Sequence, residues 1–222
     1  MNIQELKIPS YNLLKQEQFY RQTLGLNLIS KNEKEMRFEI GSSILSLEKS
    51  PQKTQYHFAI NIPSNSIQEA YNWLRKKVPI LPWHGNDIID FKAWNAESVY
   101  FYDEDHNILE LIARKNLNIN GSKPFDSEQF LRLSEIGLPT HNVKKTHDLI
   151  AQKCNMVQYD GDLERFCALG DEYGLFIIVN HHSKKWLPTD EPTFPYPFEL
   201  LFNNEGSNFE LIYKEEQLHI NH

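Results

Sequence analysis

Apolar and polar positions follow two different periods along the chain, and together they predict a recurring unit of strands and a helix. Residues 56–63 (YHFAINIP) alternate as in a β-strand, and residues 98–102 and 108–113 form two further strand-like segments. Between the first and second of these, residues 70–74 place apolar side chains at helical spacing. A strand, a helix and then further strands predict one βαβββ unit.

The chain also resembles itself, which indicates that this unit is repeated. Residues 5–13 (ELKIPSYNL) match residues 135–143 (EIGLPTHNV) in their glutamate, proline and asparagine positions. A fainter second repeat pairs residues 56–60 with 196–200 and residues 109–112 with 209–212. Self-similarity at a long offset is typical of duplicated structural units. Four units explain the length of 222 residues better than one large fold.

The units are not equally complete. The first and third each predict a strand followed by a helix, with the third helix at about residues 142–154. In the fourth, the apolar segments 198–202 and 208–213 are joined by five residues, which leaves no room for a helix. The predicted fold class is therefore α+β, with tandem βαβββ units and a truncated fourth unit.

The repeats predict two halves of the chain. Residues 1–115 hold the first two units, residues 116–126 (NLNINGSKPFD) have the composition of a linker, and residues 127–222 form a second, degenerate half. The last residues, 218–222, carry little pattern and are expected to fray.

Composition and charge exclude several classes of protein. The formal charge is −7 and no basic stripe is present, so we expect no nucleic-acid partner. No apolar run approaches the ~20 residues of a membrane helix, and the N-terminus does not resemble a signal peptide. Cys154 and Cys167 lack metal-ligand spacing and are expected to be buried, reduced thiols. We therefore expect a cytoplasmic protein without a membrane partner.

Three segments, FYRQTLGL, YHFAINIP and SVYFYDEDHNILELIAR, resemble the vicinal oxygen chelate superfamily. This superfamily includes glyoxalase I, fosfomycin-resistance thiol transferases, extradiol dioxygenases and bleomycin-resistance binding proteins. The resemblance implies paired βαβββ units whose sheets form half-barrels around a divalent metal ion. It also implies ligands on the first strand of each unit and on the last strand of the second, which fall on His57, Glu110 and, less securely, Glu5.

The residue pattern supports part of this ligand set independently of the resemblance. His57 and Glu110 each alternate with apolar neighbours, so each side chain points away from the core side of its strand. A carboxylate in a cavity is costly without a cation or a donor. One histidine with two carboxylates would suit Fe, Mn, Ni, Co or Zn. Because Glu135 repeats Glu5, a structural role for Glu5, such as pairing with an arginine, remains an alternative.

Aromatic and polar residues outside the ligand set are candidates for binding and catalysis. Tyr100 and Tyr102 share one face of a strand, where either could act as acid, base or substrate anchor. A long irregular segment offers four candidate substrate-binding residues: Trp83, His84, Trp94 and Asn95. The alternative for the two tryptophans is packing in the core or at the rim.

These observations favour a metal-dependent enzyme that acts on a small molecule with two adjacent oxygens, with the ion as Lewis acid and Glu110 as a catalytic residue. The alternative is a metal-free protein that binds or sequesters a small molecule. A third possibility is that the degenerate half is a scaffold or a dimer surface. In the second case the protein would be a homodimer.

Overall fold

The computed structural model describes residues 1–122 and 124–222; Lys123, in the predicted linker, lies outside the described residues. It confirms the predicted α+β class: tandem βαβββ units form two curved sheets, and the fourth unit is truncated. A small two-stranded sheet lies beside them.

The first two units contain eight strands and two α-helices. Their bounds are β1 (Asn2–Ser10), α1 (Leu13–Glu17), β2 (Leu28–Lys31), β3 (Glu35–Ile40), β4 (Ser43–Lys49), β5 (His57–Ile62), α2 (Ile67–Leu74), β6 (Ile89–Phe91), β7 (Ala96–Tyr102) and β8 (Ile108–Arg114). The Asn12 side chain caps the start of α1 by accepting a hydrogen bond from the Lys15 N–H. A π-helical segment, Gln18–Thr23, continues α1 at its other end. Short 3₁₀ turns lie at Lys92–Trp94 and Lys115–Leu117.

The third and fourth units follow a 3₁₀ turn at Ser127–Gln129. Their bounds are β9 (Arg132–Thr140), α3 (Val143–Cys154), β10 (Gln158–Gly161), β11 (Phe166–Asp171), β12 (Gly174–Asn180), β13 (Lys185–Trp186), β14 (Glu191–Pro192), β15 (Phe198–Asn204), β16 (Ser207–Lys214) and β17 (Gln217–Asn221). The predicted helix at 142–154 is confirmed, with Asn142 as its cap. The expectation that residues 218–222 fray is wrong, because β17 pairs along β16.

Each large sheet combines one unit from each half of the chain. The seven-stranded sheet has the order β17-β16-β15-β1-β4-β3-β2, and the eight-stranded sheet has the order β10-β11-β12-β9-β5-β8-β7-β6. The first unit therefore shares a sheet with the fourth, and the second shares a sheet with the third. The division of the sequence at residues 116–126 stays a prediction about domains.

The truncation of the fourth unit changes how its strands pair. In the second unit, β5 and β8 run parallel, because a helix and two strands lie between them in sequence. In the fourth unit, β15 and β16 form an antiparallel hairpin. Parallel neighbours need a crossover of a dozen or more residues, and the short connection here permits only a hairpin.

The hydrophobic core lies between the two sheets and under the helices. Phe176 on β12 meets Phe202 on β15 edge-to-face, with ring centroids 5.6 Å apart, and both are fully buried. Because side chains alternate along a strand, the opposite faces of the sheets are free to line cavities. Among the described residues, no helix is both long and apolar enough to cross a membrane.

Candidate metal centre

Three strands of the eight-stranded sheet bring one histidine and two glutamates to the same point. Ala59 on β5 is paired with Glu110 on β8 and with Glu135 on β9, so the two carboxylates flank it. His57 lies two residues before Ala59 and therefore on the same face of the sheet. The small side chain of Ala59 leaves space between the three larger ones.

The three side chains are almost entirely buried, with exposed fractions of 6% for His57, 2% for Glu110 and 3% for Glu135. The Nε2 atom of His57 lies 3.5 Å from Oε2 of Glu110 and 3.8 Å from Oε2 of Glu135. One ligand-type atom from each residue lies within 4.8 Å of the other two. Both histidine–carboxylate distances are longer than a typical hydrogen bond.

Each of these side chains has its second polar atom occupied by a neighbour. Ser98 Oγ donates to Glu110 Oε1 over 2.5 Å, and Arg114 Nη2 donates to Glu135 Oε1. Nδ1 of His57 lies 3.2 Å from the Ile108 carbonyl oxygen, which assigns the ring proton to Nδ1 and a lone pair to Nε2. The other nitrogen of His57 and one oxygen of each glutamate lie close together, and the Tyr100 hydroxyl is a further hydrogen-bond partner of Glu110.

Burial and mutual charge shift the ionisation of these groups. Burial, together with the charge of Glu135, raises the pKa of Glu110 to about 7. Burial alone would lower the pKa of His57, but the neighbouring carboxylates Glu135 and Glu110 outweigh it and raise that pKa. Both shifts follow from burial and from the placement of two carboxylates beside one imidazole.

The residues present fit a divalent cation. Two ligands bound ~2.1 Å from one ion lie ~3.0–3.4 Å apart at ordinary coordination angles, and the 3.5 Å and 3.8 Å separations here are close to that spacing. Imidazole nitrogen and carboxylate oxygen suit Zn, Fe, Mn, Co and Ni alike. The histidine proton held on a backbone carbonyl is the arrangement that metal-binding histidines commonly show.

A cavity of about 430 Å³ opens above the three residues. Its walls are largely aromatic and aliphatic, and they include Phe91, Trp94, Tyr100, Phe166, Ile177, Val179, Trp186 and Leu187. Trp186 packs against His57, with ring centroids 5.3 Å apart. Gly137 permits this approach, because a Cβ at that position would lie 2.4 Å from the Trp186 ring. Such a cavity suits a small molecule with an apolar body.

The structure places the predicted binding residues at different points. Trp83, Trp94 and Tyr100 line the cavity. His84 and Asn95 are exposed and do not line it; Asn95 donates instead to Asn116, over 2.7 Å. Tyr102 is also outside the lining, because its hydroxyl donates to Glu191 beyond the cavity, over 2.9 Å.

Glu5 is not brought to this site, and Glu135 lies there instead. The reason is the pairing of units: β1 belongs to the seven-stranded sheet, whereas His57 and Glu110 belong to the eight-stranded one. The Glu5 carboxylate accepts hydrogen bonds from Arg37 over 2.6 Å and from Ser46 over 2.5 Å. Glu5 therefore has a structural role, as the partner of Arg37.

Sequence reasoning missed four residues around the cavity, which are Ser98, Arg114, Glu135 and Trp186. The repeat carried a signal for Glu135, since it stands on the first strand of the third unit at the position of Glu5. A glycine inside a strand signals close approach of another group, so Gly137 could have indicated a contact such as Trp186. For Ser98 and Arg114 the sequence gives no signal of their pairing.

Comparison with known proteins gives one group of sequence relatives and many structural ones. The chain is 35% identical over 108 residues to the metallothiol transferase FosB of Staphylococcus haemolyticus, which covers 45% of this chain and 74% of the relative. A relative from Staphylococcus epidermidis with the same name is 34% identical over 108 residues, with the same coverage. No family model matches the chain.

Solved structures share the fold at low identity. A putative dioxygenase from Bacillus subtilis superposes with a TM-score of 0.61 at 16% identity, covering 81% of this chain and 63% of that one. A mutant of glyoxalase I from Zea mays superposes with a TM-score of 0.56 at 14% identity, covering 96% of this chain and 92% of that one. The second comparison shows that all four units, and both sheets, have counterparts in a glyoxalase fold.

Proposed function

The chain belongs to the vicinal oxygen chelate superfamily, and from this premise we propose that it is an enzyme that holds a divalent metal ion on His57, Glu110 and Glu135. The substrate is a small molecule that presents two adjacent oxygens. One observation carries the proposal: an imidazole nitrogen and two carboxylate oxygens converge within 4.8 Å at the floor of a cavity.

When bound, the ion supplies Lewis acidity, which stabilises negative charge that develops on the substrate oxygens. Glu110 and Glu135 each offer a single oxygen, because the second oxygen is held by Ser98 or Arg114. Held by one atom from each of the three residues, an ion would keep coordination positions for the substrate oxygens.

Residues around the ligands bind and orient the substrate. Trp94 and Trp186 provide aromatic faces for its apolar body. Tyr100 stacks near His57, with ring centroids 6.1 Å apart. Burial, together with the charge of Glu110, holds the pKa of Tyr100 well above its usual range, so its hydroxyl keeps its proton and serves as a hydrogen-bond donor.

Thiol transfer is the reaction with the most support, because the sequence relatives are named metallothiol transferases. The match to these relatives spans 45% of this chain. The structural neighbours named for other reactions carry the fold alone.

Metal analysis of the protein purified without chelator tests the proposal. We expect about one equivalent of a divalent transition metal in the wild-type protein and strong depletion in His57→Ala, Glu110→Ala and Glu135→Ala. Glu5→Ala is the matched control, because it removes a carboxylate from the other sheet. Equal, negligible metal in all five proteins, after attempted reloading, would overturn the proposal.

One observation favours a second candidate function, a metal-free binding protein. His57 has a raised pKa and lies 3.5 Å from a Glu110 oxygen, so a protonated imidazole could neutralise the carboxylates in place of an ion. The aromatic cavity would then only sequester its ligand. An apolar ligand that co-purifies with the protein in the absence of metal would favour this function over catalysis.

A further inference from the structure

We propose that Arg114 gives the loaded site the positive charge that it needs to accept a substrate whose two oxygens are negatively charged. Arg114 is here a positioning residue that acts through Glu135. The inference rests on the proposed function, since it concerns the same three ligands.

Arg114 is the last residue of β8 and is fully buried. Its Nη2 atom donates to Oε1 of Glu135, and its Nε donates to Oδ1 of Asn61 over 3.3 Å. Its guanidinium carbon lies 5.4 Å from the centre of the Trp94 ring, which lines the cavity. The guanidinium group is thus fixed between a metal ligand and a wall of the cavity.

The charges of the buried groups determine what the cavity can accept. With a divalent ion, a neutral His57 and two ionised glutamates, the centre would be neutral. Arg114 adds one positive charge beside it, which no other buried group at the site offsets. Opposite charges attract strongly where water is excluded, so the loaded cavity favours an anionic oxygen ligand over a neutral one.

Charged residues at the mouth contribute less to this balance. Three lysines and two aspartates also line the cavity: Lys92, Lys184, Lys185, Asp90 and Asp160. All five are at least partly exposed, so solvent and salt screen their charges. The buried arginine is therefore the cation that acts on the ligand side of the cavity.

The hydrogen bonding of Arg114 differs from that of an arginine that serves only stability. Its Nη1 atom is buried and has no partner among the described residues. A buried ion pair with unmet hydrogen bonds gains little or no stability over apolar residues of similar size. The pair with Glu135 therefore has a better explanation in the charge and orientation of the site than in folding.

Binding of cobalt and then of oxalate, a dianion with adjacent oxygens, tests the inference. We compare the wild type with Arg114→Met, with the conservative variant Arg114→Lys, and with Arg37→Met. Arg114→Met removes one positive charge beside the ligands, and Arg114→Lys keeps that charge. Arg37→Met is the matched control, because it removes one positive charge from the other sheet. Cobalt affinity and oxalate affinity are both read from the visible spectrum, and circular dichroism checks folding.

Arg114→Met is expected to lower oxalate affinity by ~10-fold or more, whereas Arg114→Lys and Arg37→Met should stay within ~3-fold of the wild type. If Arg114→Met does not fold, Arg114→Lys provides the test: oxalate affinity lowered by ~10-fold there, although the charge is kept, would overturn the inference. If every variant binds cobalt and all bind oxalate equally well, the inference is overturned and the proposed function stands. Failure of the wild type to bind cobalt would overturn the proposed function, and this inference with it.

Discussion

The two large sheets carry equivalent sets of residues on one face. Only one of the two sets brings an imidazole nitrogen and two carboxylate oxygens together. In the eight-stranded sheet the set is His57, Glu110 and Glu135. In the seven-stranded sheet the strand pairing places Glu5, Ser46 and Glu199 at the corresponding positions: Lys7 is paired with Ser46 and Glu199, as Ala59 is with Glu110 and Glu135. A smaller cavity of about 230 Å³ lies there.

The difference between the two sets lies in where the positive charge comes from. Arg37 stands where Tyr100 stands in the other sheet, and Lys7 stands where Ala59 does. Arg37 pairs with Glu5 over 2.6 Å, and Lys7 pairs with Glu199 over 3.2 Å. In the seven-stranded sheet, cations thus stand within the set itself and pair with both carboxylates. In the eight-stranded sheet, Arg114 pairs with one oxygen of Glu135 from outside the set, and Glu110 faces the imidazole of His57 at 3.5 Å. The comparison teaches that the same scaffold can carry lysine and arginine among its carboxylates or leave space for an ion.

Loss of the imidazole should have the largest effect on metal binding. His57→Ala removes the only nitrogen ligand of the described set, so we expect the affinity for cobalt to fall by ~100-fold or more. Titration calorimetry of the chelator-treated protein measures it. His84→Ala, which removes an exposed histidine outside the cavity, is the control and should bind as the wild type does.

The two sheets can be tested against each other at one matched position. Glu135→Gln should weaken cobalt binding by ~10- to 100-fold, whereas Glu199→Gln should leave it unchanged, because Glu199 lies in the seven-stranded sheet, away from His57. Equal losses in the two variants, measured in the same titration, would contradict the assignment of the ion to the eight-stranded sheet.

Crowded carboxylates should also make the metal-free protein sensitive to pH. The pKa of Glu110 rises to about 7 in the folded chain from an ordinary value of 4.5, so the folded state holds a proton that the unfolded state releases. Stability is therefore lost as pH rises from about 4.5 to 7, on the order of 3 kcal/mol. The raised pKa of His57 acts with the same sign above pH 6.5.

Urea denaturation in the presence of chelator, at pH 5 and pH 8, measures this effect. In Glu110→Gln the loss of stability between the two pH values should be smaller than in the wild type, and excess cobalt should reverse it in the wild type alone. If the free energy of unfolding falls equally in both proteins between pH 5 and pH 8, Glu110 is not the cause of the pH dependence.

A methyl group at Gly137 should disturb the wall of the cavity without removing any ligand. The added Cβ of Gly137→Ala would lie 2.4 Å from the Trp186 ring and 3.2 Å from the His57 carbonyl oxygen. We expect a loss of ~1–3 kcal/mol in the free energy of unfolding, as for other overpacked sites. Trp186→Phe in the Gly137→Ala background makes space for the added methyl group and should recover part of the lost stability. If no stability is recovered, contact with Trp186 is not the cause of the loss.

The smallest effect is expected in the seven-stranded sheet. Arg37→Ala breaks the pair with Glu5, whose partners are partly exposed, so the cost should be about 1 kcal/mol or less. Cobalt affinity should not change. A cobalt affinity that falls as far as in Glu135→Gln would show that the two sheets are coupled. It would contradict the claim that the eight-stranded sheet alone determines metal binding.

Much of the fold was predictable because it depends on local pattern. The helix at Val143–Cys154 follows from apolar spacing and an asparagine cap, and the hairpin of the fourth unit follows from the short connection between two apolar segments. The placement of His57 and Glu110 in one cavity also followed from alternation and the resemblance. These are statements about neighbours in sequence or about one unit.

The third candidate ligand was not predictable in the same way, because it depends on which units share a sheet. Glu5 and Glu135 stand at equivalent positions of two repeats, and no local preference tells which of them lies beside the second unit. Tyr102 shares a strand face with Tyr100, but it lies at the end of β7, where it reaches Glu191 rather than the cavity. Pairing between distant strands decides both cases.

The central claim is that an ion sits between His57, Glu110 and Glu135, and anomalous scattering from crystals grown with cobalt tests it most directly. The account predicts a single strong peak within ~2.0–2.2 Å of His57 Nε2 and of one oxygen from each glutamate. No peak at that point, or a peak beside Glu5 and Glu199 in the other sheet, would contradict it.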